Sequence, residues 1–265
     1  MIGIFDSGLG GLSALKEVRR LLPHENIVYF GDTGRVPYGS RSKETIIKYA
    51  LQDMNFLMSK QVDAVLVACG TVSSNAMDAL REKYPAIPIV GVIENAANVA
   101  ARSTKNRIIG IAGTPMTIAS RAFETRLRAI DDRLTILPTA CPLFVPLVEN
   151  GFISPDEEIT RLAAEHYLGY MRDAGADTLI LGCTHFPIIS GSIARVLPDA
   201  ALINVSAAAA EELKAIIDAR SEAQSGTGSV RYYVSDEPYG FGHTASIFLG
   251  EEISGTVERI DIEKF

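Results

Sequence analysis

The chain alternates between short runs of apolar residues and longer segments in which apolar residues recur every three or four positions. The first run spans residues 2–5, and a glycine-rich turn over residues 7–11 separates it from a helical stripe between Leu12 and Leu21. Short apolar runs bounded by turn residues predict buried strands, and the 3.6-residue spacing predicts helices. Their regular alternation predicts an α/β fold, in which parallel sheets carry helices on both faces.

The same signals recur through the rest of the chain. An apolar stripe from Ile46 to Met58 predicts another helix. The sequence from Ser154 to Glu157 is typical of a helix start, with Ser as N-cap and Pro at the first helical position. Residues 221–229 are rich in Ser, Gly and Thr, which predicts a surface loop. Further strands are predicted over residues 27–30, 62–68, 107–113 and 230–234, with another that ends at Cys183.

The second half of the chain repeats the plan of the first. Residues 107–113 echo residues 1–6, and residues 176–185 echo residues 62–71. In the second pair, an Asp opens an apolar run and a cysteine closes it. A roughly constant offset of this kind is what an internal duplication leaves behind, so we predict two similar α/β units.

Composition narrows the class of protein. The chain has 265 residues, 47% of them hydrophobic, which suits a folded protein with a sizeable core. The net charge is −7 and no block of Lys and Arg occurs, which argues against nucleic-acid binding. We also expect no signal peptide and no membrane span. The three cysteines lie far apart, which favours reduced thiols in the cytoplasm.

The strongest candidate chemistry lies at Cys69 and Cys183, which close equivalent strands of the repeat. Ligands of parallel sheets bind at the carboxyl ends of the strands. Two thiols that face one substrate from opposite sides suit racemisation, because one removes a proton and the other delivers a proton to the opposite face. The alternative is that each cysteine is a small buried packing residue. Hydroxyl and backbone N–H groups that could stabilise a carbanion-like state are expected at Ser7, Gly39, Ser40, Thr71 and Thr184.

Three weaker signals point elsewhere. Gly8-Leu9-Gly10, with Asp32 after the next strand, resembles part of a dinucleotide-binding motif, but Ser13 replaces its third glycine. Cys183 and His185 could belong to a metal site, but no second closely spaced pair of ligands accompanies them. Cys141 is interpreted as a packing residue. The loop of residues 35–40 is either a plain turn or a wall that binds a carboxylate through backbone N–H groups.

Several motifs, in this order, resemble the glutamate racemases of bacterial cell-wall synthesis. The resemblance runs from residue 2 to about residue 215. The motifs are Phe5-Asp-Ser-Gly-Leu-Gly-Gly-Leu12, Tyr29-Phe-Gly-Asp-Thr33, Val36-Pro-Tyr-Gly-Ser40, Cys141-Pro-Leu-Phe-Val-Pro-Leu-Val-Glu149 and Leu179-Ile-Leu-Gly-Cys-Thr-His185.

The resemblance implies two flavodoxin-like domains around a central cleft, residues 1–95 plus 207–265 and residues 96–206. It also implies interconversion of L- and D-glutamate for peptidoglycan without PLP, metal or nucleotide, frequently by a homodimer. Cys69 would act on D-glutamate with help from Asp6, and Cys183 on L-glutamate with help from Glu149 and His185. The implied substrate-binding positions are Asp6, Ser7, Pro37, Tyr38, Gly39, Ser40, Gly70, Thr71, Thr184 and His185.

The sequence departs from the family pattern after the first cysteine, where the family generally has Asn-Thr and this chain has Gly70-Thr71. Loss of the Asn amide would remove at least one hydrogen bond to the amino-acid head group, or glycine would let the backbone approach more closely. Gly34 and Asn95 also replace a common Ala and a usual Pro. These departures leave open a racemase of another acidic amino acid, such as aspartate, and an amino-acid-binding relative without catalysis.

Overall fold

The computed structural model describes residues 1–220, 227–236, 241–253 and 256–265. The strands are β1 Ile2–Asp6, β2 Ile27–Gly31, β3 Ala64–Val67, β4 Ile89–Gly91, β5 Ile108–Gly113, β6 Thr135–Ala140, β7 Thr178–Leu181, β8 Ala201–Asn204, β9 Val230–Val234 and β10 Val257–Arg259. The helices are α1 Leu12–Leu21, α2 Lys43–Ser59, α3 Gly70–Asn75, α4 Met77–Lys83, α5 Glu94–Ser103, α6 Pro115–Ala119, α7 Ala122–Ile130, α8 Phe144–Glu149, α9 Glu158–Asp173, α10 Ser190–Val196, α11 Val205–Asp218 and α12 Phe241–Leu249.

The described strands form two parallel sheets, as the alternation of strands and helices predicts. The first sheet has the order β10-β9-β2-β1-β3-β4, and the second has the order β6-β5-β7-β8. Every strand pair is parallel. The predicted α/β fold of two similar units is therefore confirmed.

Apolar residues build these elements where the pattern predicts them. Ile2, Ile4 and Phe5 of β1 are fully buried, because helices cover both faces of the sheet. α1 buries Leu15 and Val18 and leaves Arg20 and other charged residues toward solvent. The helical stripe from residue 46 lies within α2.

The second sheet is inserted between parts of the first. The chain leaves the first sheet after β4, builds β5 to β8, and returns to it at β9. The crossings run through α5 and α11, and α11 packs against α1 and α5. The predicted domain limits at residues 95/96 and 206/207 lie inside these two helices.

The predicted helix start at Ser154 is wrong. The carbonyl of Ser154 accepts a hydrogen bond from the Glu157 N–H at 3.0 Å, which closes a turn, and α9 begins only at Glu158. The hydroxyl of Ser154 accepts from the Asp156 N–H, and the hydroxyl of Ser192 donates to the Ser154 carbonyl. A local turn thus occupies the Ser154 hydroxyl, and the turn and a contact from α10 occupy its carbonyl.

Two further predictions concern the remaining segments. Residues 221–226 of the predicted surface loop lie outside the described residues, whereas the strand predicted at residues 230–234 is confirmed as β9. In the described part of the chain, no helix combines the length and the apolar character needed to cross a membrane.

Candidate active site

A cavity of about 350 Å³ lies where the carboxyl ends of the two sheets face each other. Its walls come from the segments that follow β1, β2 and β3 of the first sheet and β5, β6 and β7 of the second. The structure brings every predicted site residue to this one cavity: Asp6, Ser7, Pro37, Tyr38, Gly39, Ser40, Cys69, Gly70, Thr71, Glu149, Cys183, Thr184 and His185.

The first thiol, Cys69, lies at the end of β3 and precedes the first residue of α3. Its Sγ donates to the Ser7 hydroxyl at 3.4 Å. Burial, with the nearby Asp6 carboxyl, raises the pKa of the Cys69 thiol to about 12. Burial also raises the pKa of Asp6, whose Oδ2 accepts the Gly8 N–H at 3.0 Å. Cys69 therefore carries its proton at neutral pH.

The second thiol, Cys183, has a basic partner. The Nδ1 atom of His185 lies 3.7 Å from the Cys183 Sγ and 3.3 Å from the Thr184 hydroxyl. Its Nε2 atom lies 3.0 Å from a Glu149 carboxylate oxygen. Burial lowers the pKa of His185, but the interactions with Cys183 and Glu149 outweigh it and raise the pKa to about 10. The imidazole is thus a cation at neutral pH, held between the Cys183 Sγ and the Glu149 carboxylate.

The two halves of the site touch through the glycine-rich turn before α1. The Ser13 hydroxyl donates to the Thr184 carbonyl at 3.1 Å. Gly10 packs so closely on Thr184 and His185 that a Cβ atom there would collide with both side chains. This turn from the first sheet therefore helps to fix the acid–base group of the second.

Gly70 permits a second close approach between the halves. A Cβ atom at residue 70 would lie well inside 3.0 Å of the Gly182 carbonyl oxygen. The contact joins the residue after Cys69 to the residue before Cys183. In this chain the backbone approach that glycine allows is thus an approach to the opposite half of the cavity.

Sequence reasoning missed a threonine cluster in the wall. The Thr114 hydroxyl lies 3.1 Å from that of Thr71 and 2.9 Å from that of Thr117. Thr114 follows the strand that echoes residues 1–6, so it is the repeat equivalent of Ser7, and that echo was the available signal. Cys141, interpreted as a packing residue, is buried and also lines the cavity.

The wall that contains Tyr38 is tied to groups behind it. Tyr38 lines the cavity, and its hydroxyl contacts the carboxylates of Asp32 and Asp53. Asp32 is fully buried and accepts from Arg35 Nε at 2.6 Å. A carboxylate enclosed in this way cannot reach a ribose, which agrees with the argument from Ser13 against a dinucleotide-binding motif.

Comparison with known proteins agrees with this geometry. The family model described as Asp/Glu/Hydantoin racemase matches residues 12–213. A glutamate racemase of Persephonella marina is 43% identical over 263 residues, which cover 99% of this chain and 98% of the relative. A crystal structure of glutamate racemase from Francisella tularensis in complex with D-glutamate superposes with a TM-score of 0.93 at 36% identity, covering 100% of this chain and 98% of that one.

A second solved structure has the same architecture. The glutamate racemase isoform RacE1 of Bacillus anthracis gives a TM-score of 0.92 at 35% identity and covers 98% of this chain and 97% of its own. These matches cover nearly the full length of both chains, so they include both sheets and the cavity between them. The chain is a member of the Asp/Glu/Hydantoin racemase family.

Proposed function

We propose that the protein interconverts L- and D-glutamate by moving the α-proton between Cys69 and Cys183. One observation carries the proposal: two thiols that follow strands of different sheets line a single cavity. A substrate held between them presents opposite faces of its α-carbon to the two sulfur atoms. That is the arrangement a two-base racemase needs.

The protonation states of Cys69 and His185 support the assignment of the two thiols as acid and base. Cys69 is a thiol, since burial and Asp6 raise its pKa to about 12, whereas His185 provides a cation beside Cys183. The reaction needs one thiol as the acid and one thiolate as the base. In the L to D direction, Cys183 takes the α-proton and Cys69 donates its own to the opposite face. The reverse reaction starts from the form in which the proton has moved to Cys183.

Polar groups around the cavity suit an amino acid. The hydroxyls of Ser7, Thr71 and Thr184 and the loop of residues 37–40 line it, and they would hold the carboxylates and stabilise negative charge that develops at the α-carbon. Asp6 would assist Cys69, and Glu149 would act on Cys183 through His185. No step of this scheme calls on PLP, a metal ion or a nucleotide.

The choice of glutamate rests on relatives named glutamate racemases, one of them solved with D-glutamate. Gly70 gives a reason to test aspartate as well, because the family generally has Asn at this position. Production of D-glutamate for peptidoglycan, assembly as a homodimer, a cytoplasmic location and the division into residues 1–95 plus 207–265 and 96–206 stay predictions. Sedimentation velocity would test the dimer.

The test is to measure turnover of both enantiomers of glutamate and of aspartate, with circular dichroism as the readout. The expected result is two-way turnover of glutamate that exceeds turnover of aspartate. Faster turnover of aspartate would contradict the choice of substrate. Binding of glutamate without turnover, at high enzyme concentration, would indicate a relative that has lost catalysis.

A further inference from the structure

Behind the cavity wall lies a buried group of four charged or polar side chains, Asp32, Arg35, Tyr38 and Asp53, which we call the loop anchor. Asp32 follows β2, Asp53 lies on α2, and the other two belong to the wall loop of residues 35–40. Both carboxylates are fully buried. The loop anchor therefore ties a segment that lines the cavity to the packed body of the first sheet.

Arg35 connects the two acids. Its Nε donates to Asp32 Oδ2 at 2.6 Å, and one of its terminal nitrogens donates to Asp53 Oδ1 at 3.0 Å. The other donates to Gln52 Oε1 at 2.6 Å, and the guanidinium lies over the Tyr49 ring at 4.1 Å. One positive charge thus faces two buried carboxyl groups, with the exposed Glu263 3.4 Å from the same guanidinium.

The contacts of the Tyr38 hydroxyl indicate which of the two acids carries a proton. Its hydroxyl contacts Asp32 Oδ2 closely and lies 3.2 Å from Asp53 Oδ2. A hydroxyl has a single proton to donate. If that proton goes to Asp32, the second contact is a hydrogen bond only when Asp53 carries a proton and donates to the Tyr38 oxygen. One protonated acid also leaves the loop anchor without net charge, which suits a buried site.

Electrostatics point to the same acid. Burial raises the pKa of Asp53 well above its usual range, the charges of Asp32 and Asp6 raise it further, and Arg35 and Tyr38 only partly offset them. By contrast, Asp32 Oδ2 accepts both the Arg35 Nε–H and the Tyr38 O–H, so Asp32 is the acceptor of the pair.

We infer that Asp53 is protonated in the native protein and that the loop anchor positions residues 36–40 to bind a carboxylate of the substrate. The inference rests on the proposed racemase function. Asp32, Asp53 and Arg35 are positioning residues, because they lie behind the wall and act through the loop. Tyr38 joins the two layers, because the residue lines the cavity and its hydroxyl lies in the loop anchor.

The same substitution at the two acids provides the test. Asn resembles a protonated Asp, since it offers one donor group and one acceptor. Asp53→Asn is therefore expected to keep KM for glutamate within about twofold, while Asp32→Asn, which alters the acceptor of two hydrogen bonds, raises KM about tenfold or more. The loop binds a part of the substrate that does not react, so kcat should stay nearly constant in both variants.

Two tyrosine variants give a matched comparison. Tyr38→Phe removes the hydroxyl that bridges the acids and should raise KM about tenfold. Tyr49→Phe removes the hydroxyl of the neighbouring ring, whose centroid lies 5.3 Å from that of Tyr38, without removing a contact to either acid, and should leave KM unchanged. A lower melting temperature with an unchanged KM in Tyr38→Phe would mean that the anchor only stabilises the fold, which contradicts positioning.

Two measurements do not depend on turnover. The infrared difference spectrum of wild type minus Asp53→Asn at neutral pH should show a protonated carboxyl band, in which contributions from other buried acids such as Asp6 cancel. Amide hydrogen exchange of residues 36–41 should accelerate in Asp32→Asn but not in Asp53→Asn. Absence of the band from this difference spectrum, or equal increases of KM in the two Asn variants, would overturn the inference. A wild-type protein that shows the band but does not turn over glutamate would instead count against the racemase function.

Discussion

Gly70→Ala perturbs the cavity most directly, because it adds one carbon where the two halves of the cavity wall meet. The new Cβ atom would lie inside 3.0 Å of the Gly182 carbonyl oxygen, whereas ordinary van der Waals contact begins at 3.4 Å. Gly182 cannot yield easily. Its N–H donates to the Ala112 carbonyl at 2.8 Å, and the Phe123 ring occupies the space where a Cβ atom of residue 182 would lie.

Residue 70 must therefore move, by about 1 Å if the contact is to become ordinary. Cys69 is its chain neighbour, so the first sulfur moves away from the second. A misplacement of about 1 Å can cost about 100-fold in rate, or about 2.7 kcal/mol of activation free energy. We expect a loss of this size in kcat/KM in both directions. Asn, the residue that the family generally has here, is larger and should cost no less.

The assay is racemisation followed by circular dichroism from each enantiomer, with the melting temperature measured alongside. Gly242→Ala is the matched control, because it makes the same change on α12 where a Cβ atom meets no described residue within 4 Å. Activity of Gly70→Ala above half that of the wild type in both directions would refute the argument that this contact sets the separation of the sulfur atoms.

Two other outcomes follow from the site. Cys69→Ala and Cys183→Ala should each reduce racemisation by at least about 100-fold in both directions, since each thiol serves as an acid or a base; two-way activity in either variant, measured by polarimetry, would exclude the two-thiol scheme. The pKa of His185 rises from 6.5 to about 10 on folding, so its charge stabilises the fold fully below pH 6.5, and that contribution is lost as pH rises through about 10. The free energy of unfolding in urea should therefore differ most between wild type and His185→Asn at pH 6 and least at pH 10.5, and a difference that does not change with pH would contradict the charge at His185.

Local sequence predicts the strands and the positions of the two thiols well. After their opening polar residues, the runs that end at Cys69 and Cys183 are apolar, so burial specifies them as strands. The parallel topology sends each thiol to the carboxyl edge of its own sheet, and the two edges face each other across the cavity. Asp6, Glu149 and His185 were predicted as site residues only from the resemblance to the family, because no local sequence pattern marks them.

Other features depend on contacts that no local pattern encodes. Asp53 lies on the otherwise ordinary helix α2, and its partner Asp32 follows β2, so only the packing of these elements brings the two acids together. The approach of Gly70 to Gly182 likewise joins halves of the chain that fold onto different sheets. At Ser154 the local signal for a helix start was present, but a turn and a contact from Ser192 used the same groups.

The proton route between the thiols is tested most directly by racemisation in deuterium oxide, stopped early in each direction. Thiols exchange with solvent, so the acid that completes the reaction delivers solvent deuterium. The two-thiol route predicts deuterium at the α-carbon of the product from the first turnovers, while the unreacted enantiomer stays unlabelled. Protium retained in the product, or deuterium that appears equally in both enantiomers, would show that one group carries the proton across and would contradict the account.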